Sequence, residues 1–242
     1  MKTVEISDLH KSYKTGSETT KVLKGLDLKL KKGEMVMVMG PSGSGKTTLL
    51  NILGGIDKSD TGEVEVSGQD LMKMHNKSLL GFRRDHVGFI FQFYNLIPTL
   101  TALENVELGL ENLIKDKAEV RKRAMKYMKL VGLGDKINNF PQELSGGEQQ
   151  RVAISRALAK EPAIVLADEP TGNLDEDREG KVMKLMNKLQ HDLGMTFLIV
   201  SHNPRLKQYV DRTLILRKGV LRLEKLPLES MVSQNGSPIL EN

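Results

Sequence analysis

Hydrophobic and polar positions alternate in the first third of the chain. Val4 and Ile6, then Leu26, Leu28 and Leu30, then Val64 and Val66 fall on every second position, the period of a strand with one face buried. Three other segments are unbroken apolar runs: Met35–Met39, Ala163–Ala167 and Phe197–Val200. Short runs with no polar face are expected of central parallel strands covered on both sides. Lys46–Leu53 follows the first run across a glycine-rich turn and reads as a helix stopped by Gly54-Gly55. Strand–loop–helix units recur, which predicts an α/β fold. Near the end, Thr213–Leu216 and Val220–Leu223 flank Lys218-Gly219 and predict a hairpin.

The period changes between about residues 100 and 145. Thr101-x-x-Glu104 has the form of a capping box, and Leu103, Val106, Leu110 and Leu113 follow at helical spacing. A second helix is expected from near Asp116, carrying Val120, Ala124, Met128 and Val131. These helices read as an insertion, about 93–145, in an α/β core. The expected organisation is a single domain over 1–224 and a polar, irregular tail over 225–242, which contains Pro227, Gly236 and Pro238.

Composition narrows the classes. A length of 242 residues suits one large domain or a domain with an insertion, and needs no disulfide or metal staple. The absence of cysteine excludes disulfide scaffolds, zinc ribbons and thiol catalysis. The net charge of +5 permits contact with polyanions or anionic lipid without demonstrating it. No run reaches the ~18–20 apolar residues that cross a bilayer. The first ten residues carry Glu5 and Asp8 where a signal peptide needs an apolar core, so an unexported chain is expected.

Gly40-Pro-Ser-Gly-Ser-Gly45-Lys46-Thr47 fills every fixed position of the phosphate-binding loop G-x-x-x-x-G-K-[ST], between an apolar strand and a helix. In such a loop the backbone N–H groups of Gly40, Ser42, Gly43, Ser44 and Gly45, continuing to Thr48, curl around phosphate oxygens. The helix directs its positive end at the same anion. Lys46 is then expected on the β- and γ-phosphates, and the Thr47 hydroxyl on Mg²⁺. Ile164–Ala167 leads to Asp168 and Glu169 at a strand's C-terminal end, where α/β proteins open their ligand crevice. Asp168 is the candidate Mg²⁺ ligand. Glu169 is the candidate for orienting an attacking water, by position more than by basicity.

Leu144-Ser145-Gly146-Gly147-Glu148-Gln149-Gln150-Arg151 precedes an apolar helical run. Ser145-x-x-Glu148 is a capping box, and two glycines at a helix mouth also make an anion site. This octapeptide closely resembles the signature motif of the ATP-binding cassette (ABC) family, and the resemblance extends over about residues 2–224. It implies a nucleotide-hydrolase core: a mainly parallel sheet, an antiparallel β subdomain and an inserted α-helical subdomain. It also implies a head-to-tail homodimer that sandwiches two ATP molecules, with Ser145, Gly146, Gly147 and Glu148 of one copy facing the phosphate loop of the other. By the same resemblance Tyr13 stacks on adenine, Gln92 reaches Mg²⁺ and the water, Asp175 communicates across the dimer, and His202 contacts the γ-phosphate. Taken without the resemblance, Asp175 reads as the N-cap of the run Glu176–Gln190. Glu148 stands where many members carry Gln, and Gly172-Asn173 where others carry Ser-Ala.

Phe91–Val106 and Ala167–Asp175 are similar to the branch serving macrolide export, lipoprotein release and cell division; similar sequences serve antimicrobial-peptide resistance. That likeness implies a separate transmembrane permease docking near Gln92, with Phe93–Leu100 as the candidate surface, and a place on the cytoplasmic face of the membrane. Two other readings within the family are an importer subunit and a soluble ATPase acting on DNA or the ribosome. Importer subunits often add a C-terminal regulatory domain, and the soluble ATPases usually carry two cassettes or long coiled-coil insertions. Nucleic acid is not expected as a partner.

Overall fold

In the computed structural model, which describes residues 2–224, the three unbroken apolar runs lie side by side. They form β3 (Met35–Met39), β7 (Ile164–Asp168) and β8 (Phe197–Ser201). With β6 (Val87–Ile90), β9 (Arg212–Arg217) and β10 (Val220–Leu223) they build a six-stranded sheet in the order β10-β9-β3-β8-β7-β6. The pairings are parallel except for the β9–β10 hairpin. A second, antiparallel sheet holds the alternating segments in the order β2-β1-β4-β5: β1 (Lys2–Thr15), β2 (Glu18–Lys31), β4 (Thr61–Val66) and β5 (Gln69–Asp70).

The central strands β3, β7 and β8 are apolar along nearly their whole length because they separate two cores. Met35, Met37, Val165, Phe197 and Ile199 face the layer that also contains Val152 and Ile154 of α5 (Gly146–Leu158) and Met183 and Met186 of α6 (Glu176–Leu193). Val36, Val38, Leu166, Leu198 and Val200 face the other way. They meet Leu49, Leu50 and Leu53 of α1 (Lys46–Leu53) and the inner face of the antiparallel sheet. Neighbouring residues of one strand thus serve opposite cores, the period-2 geometry of any strand.

Between β6 and β7 lie α3 (Ala102–Leu108), α4 (Lys117–Leu130) and α5. The capping box at Thr101 and Glu104 is formed, as is the Asp116 cap on α4. α3 is shorter than its apolar spacing predicts. It stops at Leu108 with Gly109 as C-cap, and Leu110 is buried from the turns that follow while Leu113 lies outside the helix. The turns hold themselves through Leu113 and Ile114 N–H groups, both donating to the Leu110 carbonyl at 2.8 and 3.0 Å. Another helix, α2 (Asn76–His86), has no counterpart in the sequence reading. Only Leu79 and Phe82 on it are buried, too few apolar positions to show a period. The tail 225–242 lies outside the described residues. Among the described residues no helix is long and apolar enough to cross a membrane.

Candidate functional site

The C-terminal ends of β3, β7 and β8 open into a crevice of about 690 Å³. It is lined by the phosphate loop, Gln92, Asp168, Glu169 and His202, with Val22 at its side. The loop is held by close backbone approach. A Cβ on Gly40 would lie 2.3 Å from the Leu216 carbonyl oxygen. Gly45 sits at φ +104°, where a Cβ would press on Leu23 and Val22 at 2.9 Å. Both positions therefore require glycine, one for space and one for conformation as well. Gly45 opens α1, so the helix's positive end faces the crevice. Lys46 Nζ donates to the carbonyls of Gly40 (2.8 Å) and Pro41 (3.1 Å), which holds its charge at the loop's rim. The Ser44 hydroxyl is buried behind the loop and has no hydrogen-bond partner among the described residues.

Opposite the loop stand the two acids. Successive strand residues point to opposite faces, yet Asp168 and Glu169 both line the crevice. The backbone explains it. Glu169 has left-handed φ (+45°), its N–H donates to the Val200 carbonyl at 3.0 Å, and its own carbonyl accepts from Gly172 N–H at 3.0 Å. The turn costs on the order of 1–3 kcal/mol for a residue with a Cβ, and it brings the second carboxylate round beside the first. Asp168 Oδ2 accepts from the Thr47 hydroxyl at 3.1 Å. Burial pushes the Asp168 carboxyl above the usual carboxylate range, the Thr47 bond pulls it back, and the Glu169 charge adds to the rise. Glu169 accepts from the Ser201 hydroxyl at 3.0 Å and lies 2.9 Å from Nδ1 of His202. His202 is 71% exposed at its side chain while Glu169 is 14% exposed, so the imidazole reaches from solvent over the carboxylate.

The donors near Thr47 suit a hard cation. A hydroxyl and a carboxylate are already in contact, and the Gln92 side chain lines the same crevice. Mg²⁺ typically takes only one or two protein carboxylates and fills its shell with phosphate and water oxygens. The described residues contain no cluster of three or more His, Asp or Glu side chains of the kind that cages a metal by itself. An oxygen-poor protein site completed by a nucleotide is the arrangement that fits.

The segments after the crevice are tied together. Asn173 Nδ2 donates to the Gln92 carbonyl at 2.8 Å, and a Cβ on Gly172 would lie 3.0 Å from Gln92 Nε2. Asp175 caps α6, accepting from Arg178 N–H at 2.9 Å and pairing with the Arg178 guanidinium at 3.2 Å. Arg178 also lies against Gly147. At the mouth of α5 the Ser145 hydroxyl and N–H donate to Glu148 at 2.7 and 2.8 Å, and those two bonds hold the Glu148 carboxyl below its usual range. Ser145–Glu148 does not line the crevice. One chain therefore carries two anion-competent helix mouths that do not face a common space.

Besides Ser145–Glu148, the candidates Gly40, Ser44, Asp175 and Tyr13 are not among the residues that line the crevice. Asp175 is engaged in its cap. Tyr13 is 39% exposed, donates its hydroxyl to Asp57 at 2.7 Å and lies under the Lys11 ammonium at 4.9 Å. Ser201 and Asn173 were not among the candidates. Each makes its key bond to a residue far along the chain, and nothing in the local pattern marks either.

A family model described as ABC transporter matches residues 23–172. An uncharacterised ABC transporter ATP-binding protein of Methanocaldococcus jannaschii is 48% identical over 216 residues, covering 89% of this chain and 96% of that one. The lipoprotein-releasing system ATP-binding protein LolD of Cytophaga hutchinsonii is 42% identical over 218 residues, 90% of this chain and 98% of its own. Among solved structures, the dimeric post-hydrolysis state of the ATP-binding cassette MJ0796, bound to ADP and Pi, superposes with a TM-score of 0.83 at 44% identity. It covers 93% of this chain and 99% of that one. CbiO1 of Clostridium perfringens, part of an ABC transporter complex, superposes with a TM-score of 0.85 at 28% identity, covering 96% and 92%.

Proposed function

The chain belongs to the ATP-binding cassette (ABC) transporter family, and from that premise we propose that it drives a separate membrane permease of the exporting or force-transmitting kind. It is an ATPase, releasing ADP and phosphate. The cargo class is a macrolide, a lipoprotein or an antimicrobial peptide. The likeness to LolD along nearly the whole of both chains supports this reading over an importer subunit or a soluble ATPase working on nucleic acid. The functional unit is residues 1–224 with the helical insertion at about 93–145. It works at the cytoplasmic face of the membrane, held there by the permease. Phe93–Leu100 is the docking surface in this reading: Phe93 is 72% and Ile97 38% exposed, while Leu96 turns into the core.

The observation that carries the chemistry is the crevice itself, where Thr47 meets Asp168 and His202 meets Glu169. In the proposed cycle Tyr13 stacks on adenine, and the backbone of Gly40 to Thr48 wraps the phosphates. Lys46 moves from the loop carbonyls to the β- and γ-phosphate oxygens. Thr47, Asp168 and Gln92 would hold Mg²⁺, which when bound neutralises phosphate charge. The γ-phosphate then attracts the second anion site. Ser145, Gly146 and Gly147 of another copy close over it, with Glu148 keeping their helix capped and Asp175 at the dimer contact. Closure moves the docked permease. Glu169 orients the water in line with the γ-phosphate, His202 holds a γ-phosphate oxygen, ADP leaves as water adds to the phosphorus, and hydrolysis reopens the dimer.

Glu169→Gln should bind ATP but turn it over at least ~10²-fold more slowly, the usual loss for one positioned catalytic group. Adding Ser145→Arg to Glu169→Gln should abolish ATP-dependent dimerisation, read by light scattering, while nucleotide binding to the monomer persists. Near-normal turnover by Glu169→Gln would sink the assignment of the water-orienting role.

A further inference from the structure

Glu179 is a carboxylate 9% exposed on α6, and it enters neither the phosphate crevice nor any ion pair among the described residues. Three contacts surround it. Asn203 Nδ2 donates to Oε1 at 2.7 Å and to Oε2 at 2.9 Å, and the Thr171 hydroxyl donates to Oε2 at 3.1 Å. Its place near the start of α6 adds the positive end of the helix. A buried carboxylate is costly unless its lone pairs are filled, and here they are filled by two residues with particular neighbours. Thr171 lies two residues after Glu169, in the turn that bends that acid into the crevice. Asn203 directly follows His202.

The Asn203 link continues to the reacting acid. Its side-chain oxygen accepts from Arg205 N–H at 3.0 Å, which leaves Nδ2 as the group facing Glu179. Its own backbone N–H donates to the Ser201 hydroxyl at 3.1 Å, and that hydroxyl donates to Glu169 Oε2 at 3.0 Å. Donors run in one direction, from Asn203 to Ser201 to Glu169. With its oxygen accepting from the Asn203 N–H, the Ser201 hydroxyl has its own proton to give to Glu169. Glu179 thus grips both ends of the Glu169–His202 pair, one through the turn after β7 and the other through the turn after β8.

We propose that Glu179 is a positioning residue for hydrolysis: its carboxylate clamps Thr171 and Asn203, and so sets the orientation of Glu169 and His202. The inference rests on the hydrolytic roles given to those two residues above. An isosteric amide tests it. Glu179→Gln replaces one of the two oxygens that the Asn203 amide nitrogen meets, at 2.7 and 2.9 Å, with a donor, so one of those two bonds becomes a donor-to-donor contact. The complementary change, Asn203→Asp in the same chain, restores a donor-to-acceptor pair with the charge moved across.

The experiment measures steady-state phosphate release against ATP concentration for the full chain, with Glu169→Gln run in parallel. Glu179→Gln should lower kcat by about 10-fold, the lower end of the ~10–100-fold that losing the hydrogen-bond partner of a metal ligand costs. KM for ATP should stay within about twofold. Glu179→Gln with Asn203→Asp should recover turnover to within about threefold of wild type, which a general loss of packing would not do. Because truncation at a buried site can unfold the chain, the swap rather than Glu179→Ala decides the matter. Wild-type kcat in Glu179→Gln, or a loss that the swap leaves unrepaired, overturns the proposal. Should Glu169→Gln itself hydrolyse ATP normally, the site reading fails first; should it be inactive while Glu179→Gln is normal, only the clamp fails.

Discussion

Asn105 offers a direct measure of how the docking segment is held. It is fully buried on α3, and its side chain bonds the chain that precedes the helix. Oδ1 accepts from Ile97 N–H at 2.7 Å, and Nδ2 donates towards the carbonyls of Thr101, Leu100 and Ile97 at 2.9, 3.0 and 3.1 Å. Two amide hydrogens serve three carbonyls, so one bond is shared. Asn105→Ala removes all of these, but the losses are unequal. The Thr101 carbonyl keeps the helical N–H of residue 105 at 2.9 Å, and the Ile97 carbonyl keeps Leu100 N–H at 3.2 Å. The Ile97 N–H and the Leu100 carbonyl lose their side-chain partner with no such substitute. Each group left unpaired costs ~1–3 kcal/mol if it stays buried, and Ile97 lies near enough to solvent for water to recover part of that. The expected loss is about 2–3 kcal/mol in urea unfolding at unchanged m. Amide exchange at Ile97 should accelerate, because the 97–101 segment is released before the domain opens. Asn105→Asp should be no better. It keeps the acceptor for Ile97 N–H and turns a carboxylate towards three carbonyls. A loss under about 1 kcal/mol with unaltered exchange at Ile97 would refute the account of how this segment is anchored.

Two further outcomes follow from the same geometry. Gly40→Ala should cost ATP binding and stability together, because the obstructing atom at 2.3 Å is the Leu216 backbone oxygen and cannot rotate aside; nucleotide titration and thermal unfolding of one preparation check it, and wild-type affinity would show that the loop can shift. Glu148 has its carboxyl held below the usual range by Ser145, so its contribution to stability is present above ~4.3, the unfolded pKa, and disappears as pH falls through the lower folded value. Glu148→Gln should accordingly flatten the acid limb of a stability–pH curve by lowering stability at neutral pH, the two curves converging below the folded pKa, and parallel acid limbs for the two proteins would remove Glu148 from the linkage.

Much of this chain was legible locally. The unbroken runs of β3, β7 and β8, the glycine-rich turn before Lys46, and the capping boxes at Thr101 and Ser145 all depend on residues within one turn or one strand of each other. Periodicity and capping act over that distance, so the residues alone settle them. α2 escaped because two buried positions make no period, and α3 was overextended because Leu110 and Leu113 continue its spacing beyond Gly109. What the tertiary structure decided concerns partners far apart in sequence. The order that seats β3 between β9 and β8 comes from pairing across more than 150 residues. Consecutive acids at a strand end should diverge. They converge because the Val200 carbonyl and Gly172 N–H fix a left-handed turn at Glu169, a conformation no residue-by-residue preference selects. Ser201, Asn203 and Glu179 gain their roles the same way: each is an ordinary polar residue until the sheet and α6 bring it to its partner. The sequence by itself determined which chemistry the chain carries. The assembly of the sheet decided which groups can reach the same phosphate, because long-range packing, and not local propensity, sets where the ends of separate strands meet.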